Sequence, residues 1–319
     1  NSPSGEGENT DYRVVKALIN IINEHTAGEV EMLVAEGTAR TNDGVDDAGS
    51  VLENSGYLAL KGLPNVTLLN LNQTYAETVE ITLGDKSTAM PHNGKFRVHK
   101  EEIDADVYIS VPVLKIHNPG ITNALKNQIG SAPGSAYGYN KMAGGSYSKL
   151  FHGIDQRDWT TEEIVDLSSI AGIDFVVTDA IMCLEKKKSY DGNNQVRMNT
   201  IIAGVDPVAV DHVCTKLFCL NPDDIAHITL AEKMGLGTND PELIELVGAP
   251  IDDVKKKVIK SQSESGKFGQ SNRTWILSPV YNSTSIDDEL IRNEADIEPV
   301  AGQNGWSEPV YFFDDRIDL

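Results

Sequence analysis

VYISVPVLKIHNPGITNALKNQIG, from Val107 to Gly130, is the stretch on which the fold turns. Its first part, Val107–Leu114, is a short, β-branched, apolar run, which predicts a strand buried on both faces of a sheet. The run ends in Lys115-Ile116-His117, turns at Asn118-Pro119-Gly120 and enters a short helix-like segment carrying Lys126 and Asn127. In open α/β sheets, ligands bind beyond the carboxyl ends of the strands. Taken alone, Lys115 is explained as the point where a strand meets water, and Lys126 as a side chain snorkelling along a helix. Two cations, an imidazole and an amide grouped at one strand end point instead to a binding or catalytic locus.

Outward from this stretch, helical and strand patterns alternate. Tyr12–His25 reads as an amphipathic helix with Val14, Leu18, Ile21 and Ile22 on one face and Thr10 or Asp11 as its N-cap. Glu29–Ala35, Val66–Leu71, Asp174–Asp179 and Asn199–Gly204 read as strands, and Val51–Leu60, Asp206–Leu217 and Asp223–Met234 as helices. The rhythm predicts a three-layer α/β domain over residues 1–260, with a mostly parallel sheet and right-handed crossovers. Ser131–Lys149, rich in Gly, Ala, Ser and Tyr, reads as a long loop and suits a lid over the site. Residues 261–272 read as a linker. Residues 273–319 form an irregular C-terminal extension, expected either to fold back through Trp275 and Val310–Phe313 or to begin a further β domain. Asn1 to Gly5 is already loop-like, so the chain is expected to start inside a longer precursor and to lack a first strand.

Composition narrows the function classes. Asp and Glu number 48 against 27 Lys and Arg, a net charge of −21 that disfavours nucleic acid and polybasic membrane contacts as partners. No apolar run is long enough to span a bilayer. Three cysteines make no disulfide framework, and without a Cys-x-x-Cys pair an iron–sulfur cluster has no sequence support. Cys214 and Cys219 read as small buried hydrophobes. Asn65, Asn72, Asn272 and Asn282 each begin an Asn-x-Ser/Thr acceptor pattern.

Three more residues join the candidate locus. Asp179 closes an apolar strand and needs a partner, either Lys115 or Lys126 or a divalent ion shared with His117, His152 or Glu185. Asp206, before Pro207, suits an N-cap, yet it also follows a strand and could face the same crevice as Lys115. His152, after the Gly-rich loop, suits an acid or base near neutral pH. Asp179 and Asp206 are the alternative metal pair, although no compact ligand motif such as His-Glu-x-x-His is present. Phosphate-binding Gly-Lys-Ser/Thr loops and Gly-x-Ser-x-Gly elbows are also absent from the sequence.

Lys115-Ile116-His117, Thr122-Asn123-Ala124-Leu125-Lys126-Asn127, His152, Asp179, Asp206-Pro207-Val208-Ala209-Val210-Asp211 and Gly235-Leu236-Gly237 together resemble the domain-of-unknown-function 362 family over residues 10–250. The resemblance implies a fold and a site but no reaction. The chain departs from that family in lacking its opening Lys-Pro-Asn element and the ferredoxin-like cysteines that many members carry. A fainter similarity, in the strand-end His followed by a Gly- and Lys-containing loop, is to the nickel-dependent lactate racemase family. Trp275-Ile276-Leu277-Ser278-Pro279 and Pro299-Val300-Ala301-Gly302 are similar to the lead-in of galactose-binding-like modules, which implies an exported, extracytoplasmic, multidomain polypeptide with downstream domains.

The expected function is an enzyme on a small anionic ligand, carboxylate or phosphate. Lys115, His117, Lys126 and His152 would be catalytic, and Asn127, Asp179 and Asp206 would bind ligand. The cofactor is left open. The competing expectation is a non-catalytic ligand-binding module of an exported carbohydrate-processing protein.

Overall fold

The computed structural model describes residues 5–37, 52–53, 55–71, 77–86, 94–117, 120–137, 160–186, 191–260 and 310–314. In chain order the elements are α1 (Tyr12–His25), β1 (Met32–Glu36), β2 (Val66–Asn70), β3 (Thr78–Thr82), β4 (Lys95–His99), α2 (Lys100–Asp104), β5 (Ile109–Ser110), β6 (Val113–His117) and β7 (Gly120–Thr122). They continue with α3 (Gln128–Ser131), α4 (Gly134–Tyr137), α5 (Thr160–Ala171), β8 (Phe175–Leu184), β9 (Gln195–Gly204), α6 (Pro207–Leu217), α7 (Ala226–Lys233), β10 (Leu246–Val247), α8 (Ile251–Val254) and β11 (Val310–Asp314).

The class is α/β, in three layers. The central sheet runs β10-β11-β9-β8-β6-β7, with β5 also pairing β8. Its pairings are mixed: β5 and β6 lie parallel to β8, and β10 parallel to β11. β9 is antiparallel to both β8 and β11, and β7 returns antiparallel to β6. β1 and β2 form a separate parallel pair, and β3 and β4 an antiparallel one. Val310–Asp314 thus adds a strand to the sheet from the C-terminal segment.

Period-two alternation decides which residues reach which layer. Val177 and Ala203 point at Val14 of α1, with Phe175, Ile181 and Ile201 packed around them. Val176, Ala180, Ile202, Leu114 and Ile116 point the other way, into the main core with α5, α6 and α7. A register shift between Ala180 and Met182 changes the phase of β8, and Cys183 accordingly lies in the main core although its number is odd. α1 starts at the expected residue because the Asp11 carboxylate accepts the Arg13 N–H at 2.9 Å. Its other face, Val15 and Ile19, packs on Leu52, Tyr57 and Leu60.

Several expectations need correction. The apolar run is broken at Val111-Pro112 into β5 and β6, and the strand continues through Lys115 to His117. Proline lacks the N–H that a continuous ladder requires. Val107, taken as the start of a buried strand, is 61% exposed, and Ile21 of α1 is 54% exposed. The segment from Ser131 is no loop at its start, because Ala132, Ala136 and Tyr137 are buried in the main core. The Tyr137 hydroxyl accepts the Arg97 N–H at 2.8 Å. The rest of that stretch, 138–149, lies outside the described residues, as do Asn118-Pro119, His152, the 261–272 segment and Trp275. Cys219 is exposed, whereas Cys183 and Cys214 are buried.

Candidate functional site

Lys115 and His117 alternate on β6 with Leu114 and Ile116, which are buried in the main core. Both therefore project to the α1 side of the sheet. Lys115 pairs with Thr122 and His117 with Gly120 across the β6–β7 ladder. The turn that follows, residues 123–127, brings Lys126 back over β6. The Lys126 ammonium donates to Nδ1 of His117, and Lys126 is only 7% exposed. With Nδ1 accepting, the neutral imidazole carries its proton on Nε2.

Buried groups from distant parts of the chain fix this turn. The Asp211 carboxylate on α6 accepts the backbone N–H of Ala124 at 2.9 Å and of Leu125 at 3.4 Å. The Thr178 hydroxyl of β8 donates to the Asn123 amide oxygen at 2.8 Å, and Ser168 of α5 donates to the Leu125 carbonyl at 3.0 Å. Asn127 is held by a 3.2 Å bond from its amide to the Ser110 hydroxyl. Asp211 also lies 3.8 Å from His227, and both are fully buried. Burial raises Asp211 to about 7, and burial followed by the charge of Lys126 pushes His227 down to about 3. At neutral pH the His227 ring is uncharged, so the pair is not an ion pair.

Lys115 and Asn127 line a cleft of about 90 Å³ together with Glu8, Asn9, Thr10, Glu36, Leu52, Ser55, Tyr57, Val113 and Thr122. The segment before α1 forms one wall. It is tied down by the Lys115 ammonium on the Glu8 carbonyl and by the Thr10 hydroxyl on the Val111 carbonyl at 2.8 Å. Tyr57 donates to the Thr10 carbonyl at 3.0 Å, and Asn9 donates to the Ser55 hydroxyl at 3.2 Å. Glu36 closes the cleft from the end of β1.

Asp179 is placed differently from expectation. It sits mid-strand, because β8 continues five residues beyond it, and its carboxylate accepts the N–H of Asp11 at 2.9 Å and of Ile181 at 3.0 Å. It pairs in register with Val113 and so lies under the wall of the cleft. Burial, opposed by these N–H donors, raises it to about 6.

Asp206 is not brought together with Lys115. Since β9 runs antiparallel to β8, Gly204 pairs with Val176 while Lys115 pairs with Leu184. These points are eight residues apart along β8, across an irregularity in its register with β6. Asp206 instead caps α6, accepting the N–H of Val208 at 2.8 Å and of Ala209 at 2.9 Å, and it also accepts that of Thr238 at 2.8 Å. A Cβ added at Gly237 would lie 2.0 Å from Asp206 Oδ1, which explains the glycine there. Asp179 and Asp206 each accept backbone N–H groups, from Asp11 and Ile181 and from Val208, Ala209 and Thr238. Among the described residues no group of three or more His, Cys, Asp or Glu is arranged to hold a metal ion, and no helix is long and apolar enough to cross a membrane.

Sequence reasoning missed Glu36, Ser55, Tyr57 and the 8–10 wall, as well as the Asp211 clamp. Glu36 ends a strand as Lys115 nearly does, and the same strand-end rule applied to β1 would have found it.

A family model described as Domain of unknown function (DUF362) matches residues 1–216. The thylakoid-associated protein sll1697 of Synechocystis sp. is 28% identical over 197 residues, which cover 61% of this chain and 55% of that protein, so the match spans about half the relative's length. The lactate racemase apoprotein from Thermoanaerobacterium thermosaccharolyticum aligns in structure with a TM-score of 0.39 and 12% identity, over 64% of this chain and 44% of that one. With two thirds of its length matched and the Lys-x-His and Lys-Asn elements joined at one site, the chain belongs to the DUF362 family.

Proposed function

We propose that the chain is an enzyme acting on a small anionic substrate in the cleft beside β6. Lys115 and Asn127 hold the carboxylate or phosphate, and the Lys126–His117 pair moves protons. One observation carries this reading: the Lys126 ammonium, almost fully buried, meets the His117 imidazole beside the cleft that Lys115 and Asn127 line. A lysine touching histidine next to a polar cleft is an acid–base pair, with contributions of about 10²–10⁴-fold typical of such groups. His152, placed here by the sequence alone, remains a candidate second acid or base, and Asp179 supports the cleft wall.

The test is loss of the α-proton signal of lactate, malate and alanine in deuterated water, followed by proton NMR. Exchange in the native chain, abolished in Lys126→Ala and His117→Ala but kept in Lys61→Ala, is the expected result. Saturable binding with no exchange for any of the three would identify a non-catalytic ligand-binding module instead.

A further inference from the structure

We propose, resting on the reading of the cleft beside β6 as the ligand site, that residues 6–10 form a strap that opens to admit a ligand and closes over it. Glu8, Asn9 and Thr10 are part of the cleft lining, so an occupant lies against the strap.

The strap, Glu6-Gly7-Glu8-Asn9-Thr10, carries no apolar side chain. Three of its backbone carbonyls, at alternate residues, accept bonds from side chains of the body. Glu6 accepts the Gln195 amide at 3.1 Å, Glu8 accepts the Lys115 ammonium, and Thr10 accepts the Tyr57 hydroxyl at 3.0 Å. The Thr10 hydroxyl adds a bond to the Val111 carbonyl at 2.8 Å, and the Asn9 amide adds one to the Ser55 hydroxyl at 3.2 Å. Each such bond replaces one to water, so it is worth a factor of only about 5 in a local equilibrium. A segment with polar fastenings and no apolar side chain to bury opens at less cost than the sheet it lies on.

The two ends of the strap differ. At Asp11 the chain is anchored, because the buried Asp179 carboxylate accepts the Asp11 N–H at 2.9 Å and α1 begins there. At the other end Gly7 has φ +83°, and a Cβ there would lie 2.7 Å from the Met182 carbonyl, so only glycine lets the strap pass this close to β8. Lys115 couples strap and ligand. Its ammonium carries three donors, enough to keep the Glu8 carbonyl while taking a ligand carboxylate. Ligand and strap are then tied to one cation, and binding shifts the population toward the closed strap.

Digestion of the full chain with a glutamyl endopeptidase, which cuts after Glu, tests the gate, with new N-termini at Gly7 and Asn9 read by mass spectrometry. In the free chain these cuts should precede loss of the native circular dichroism. L-lactate or L-alanine at about ten times the Kd found by calorimetry should slow them about 10-fold, since cleavage tracks the open population. Gln195→Ala, at a residue outside the cleft lining, should speed them about 5-fold. Cuts that appear only as the whole chain unfolds, that a bound ligand fails to slow, or that Gln195→Ala leaves at the native rate overturn the gate and leave the cleft as the ligand site. If calorimetry shows that neither compound binds, the site reading falls and the gate with it.

Discussion

Asp211→Ala should destabilise the chain by about 3–5 kcal/mol, the range for removing a buried group and leaving its partners unsatisfied. Asp211 is fully buried and accepts the N–H groups of Ala124 and Leu125, 87 and 86 residues away in sequence. Truncation strands both donors and opens a cavity beside His227. Asp211→Asn keeps one acceptor but turns an N–H₂ toward the second donor, so its loss should be smaller, and that variant separates stability from site geometry. With the 123–127 turn loosened, Lys126 no longer meets His117 in a fixed position, and ligand binding in a folded Asp211→Asn chain should fall. Urea titration reads the first effect, and calorimetry on the folded variant reads the second. Stability within ~1 kcal/mol of native for Asp211→Ala would show that the clamp is not what holds the turn.

The second large effect is on pH. Asp179 and Asp206 are held up to about 6 and Asp211 up to about 7, in each case chiefly by burial. In the unfolded chain the same carboxyls titrate near ~4. Between about pH 4 and 7 the folded chain therefore retains protons that the unfolded chain has released. The stability contributed by these groups is complete below the unfolded value and is lost as pH rises through 6 to 7.

His227 acts in the opposite sense. Its folded value of about 3 lies below the unfolded one, so its contribution is present above ~6.5 and lost as pH falls toward 3. Three carboxyls outweigh one imidazole over most of the window, and self-repulsion in a chain of net charge −21 adds to the same trend. Thermal unfolding should therefore show a higher midpoint near ~pH 5 than near ~pH 7.5, a difference on the order of a few kcal/mol. A midpoint that rises steadily across that interval would mean that these carboxyls are ionised in the fold.

The sequence carried the elements better than their pairing. α1 was legible to the residue because capping and periodicity are local properties. The antiparallel return of β9 was not legible, because Gln195–Gly204 reads equally well in either direction. That one reversal moved Asp206 to the far end of the sheet, where it caps α6.

Lys115, His117, Lys126 and Asn127 were found because they lie within one short stretch and meet through a hairpin and a turn. Glu36, Ser55 and Tyr57 reach the cleft only through tertiary packing of β1 and the 52–60 segment against α1, which no local pattern encodes. Among the described residues, Asp211 is buried without a charged cation beside it, since His227 is neutral. It binds backbone N–H groups instead, a use of a carboxylate that sequence alone does not distinguish from an ion pair.

A crystal structure of the chain with L-alanine or L-lactate, added near its measured Kd, shows directly whether the cleft beside β6 is the ligand site. One ligand molecule is expected in the cleft, its carboxylate within hydrogen-bonding distance of the Lys115 ammonium and the Asn127 amide, with the Lys126–His117 contact kept. Ligand bound elsewhere, or a cleft left empty while calorimetry shows saturation, would contradict it.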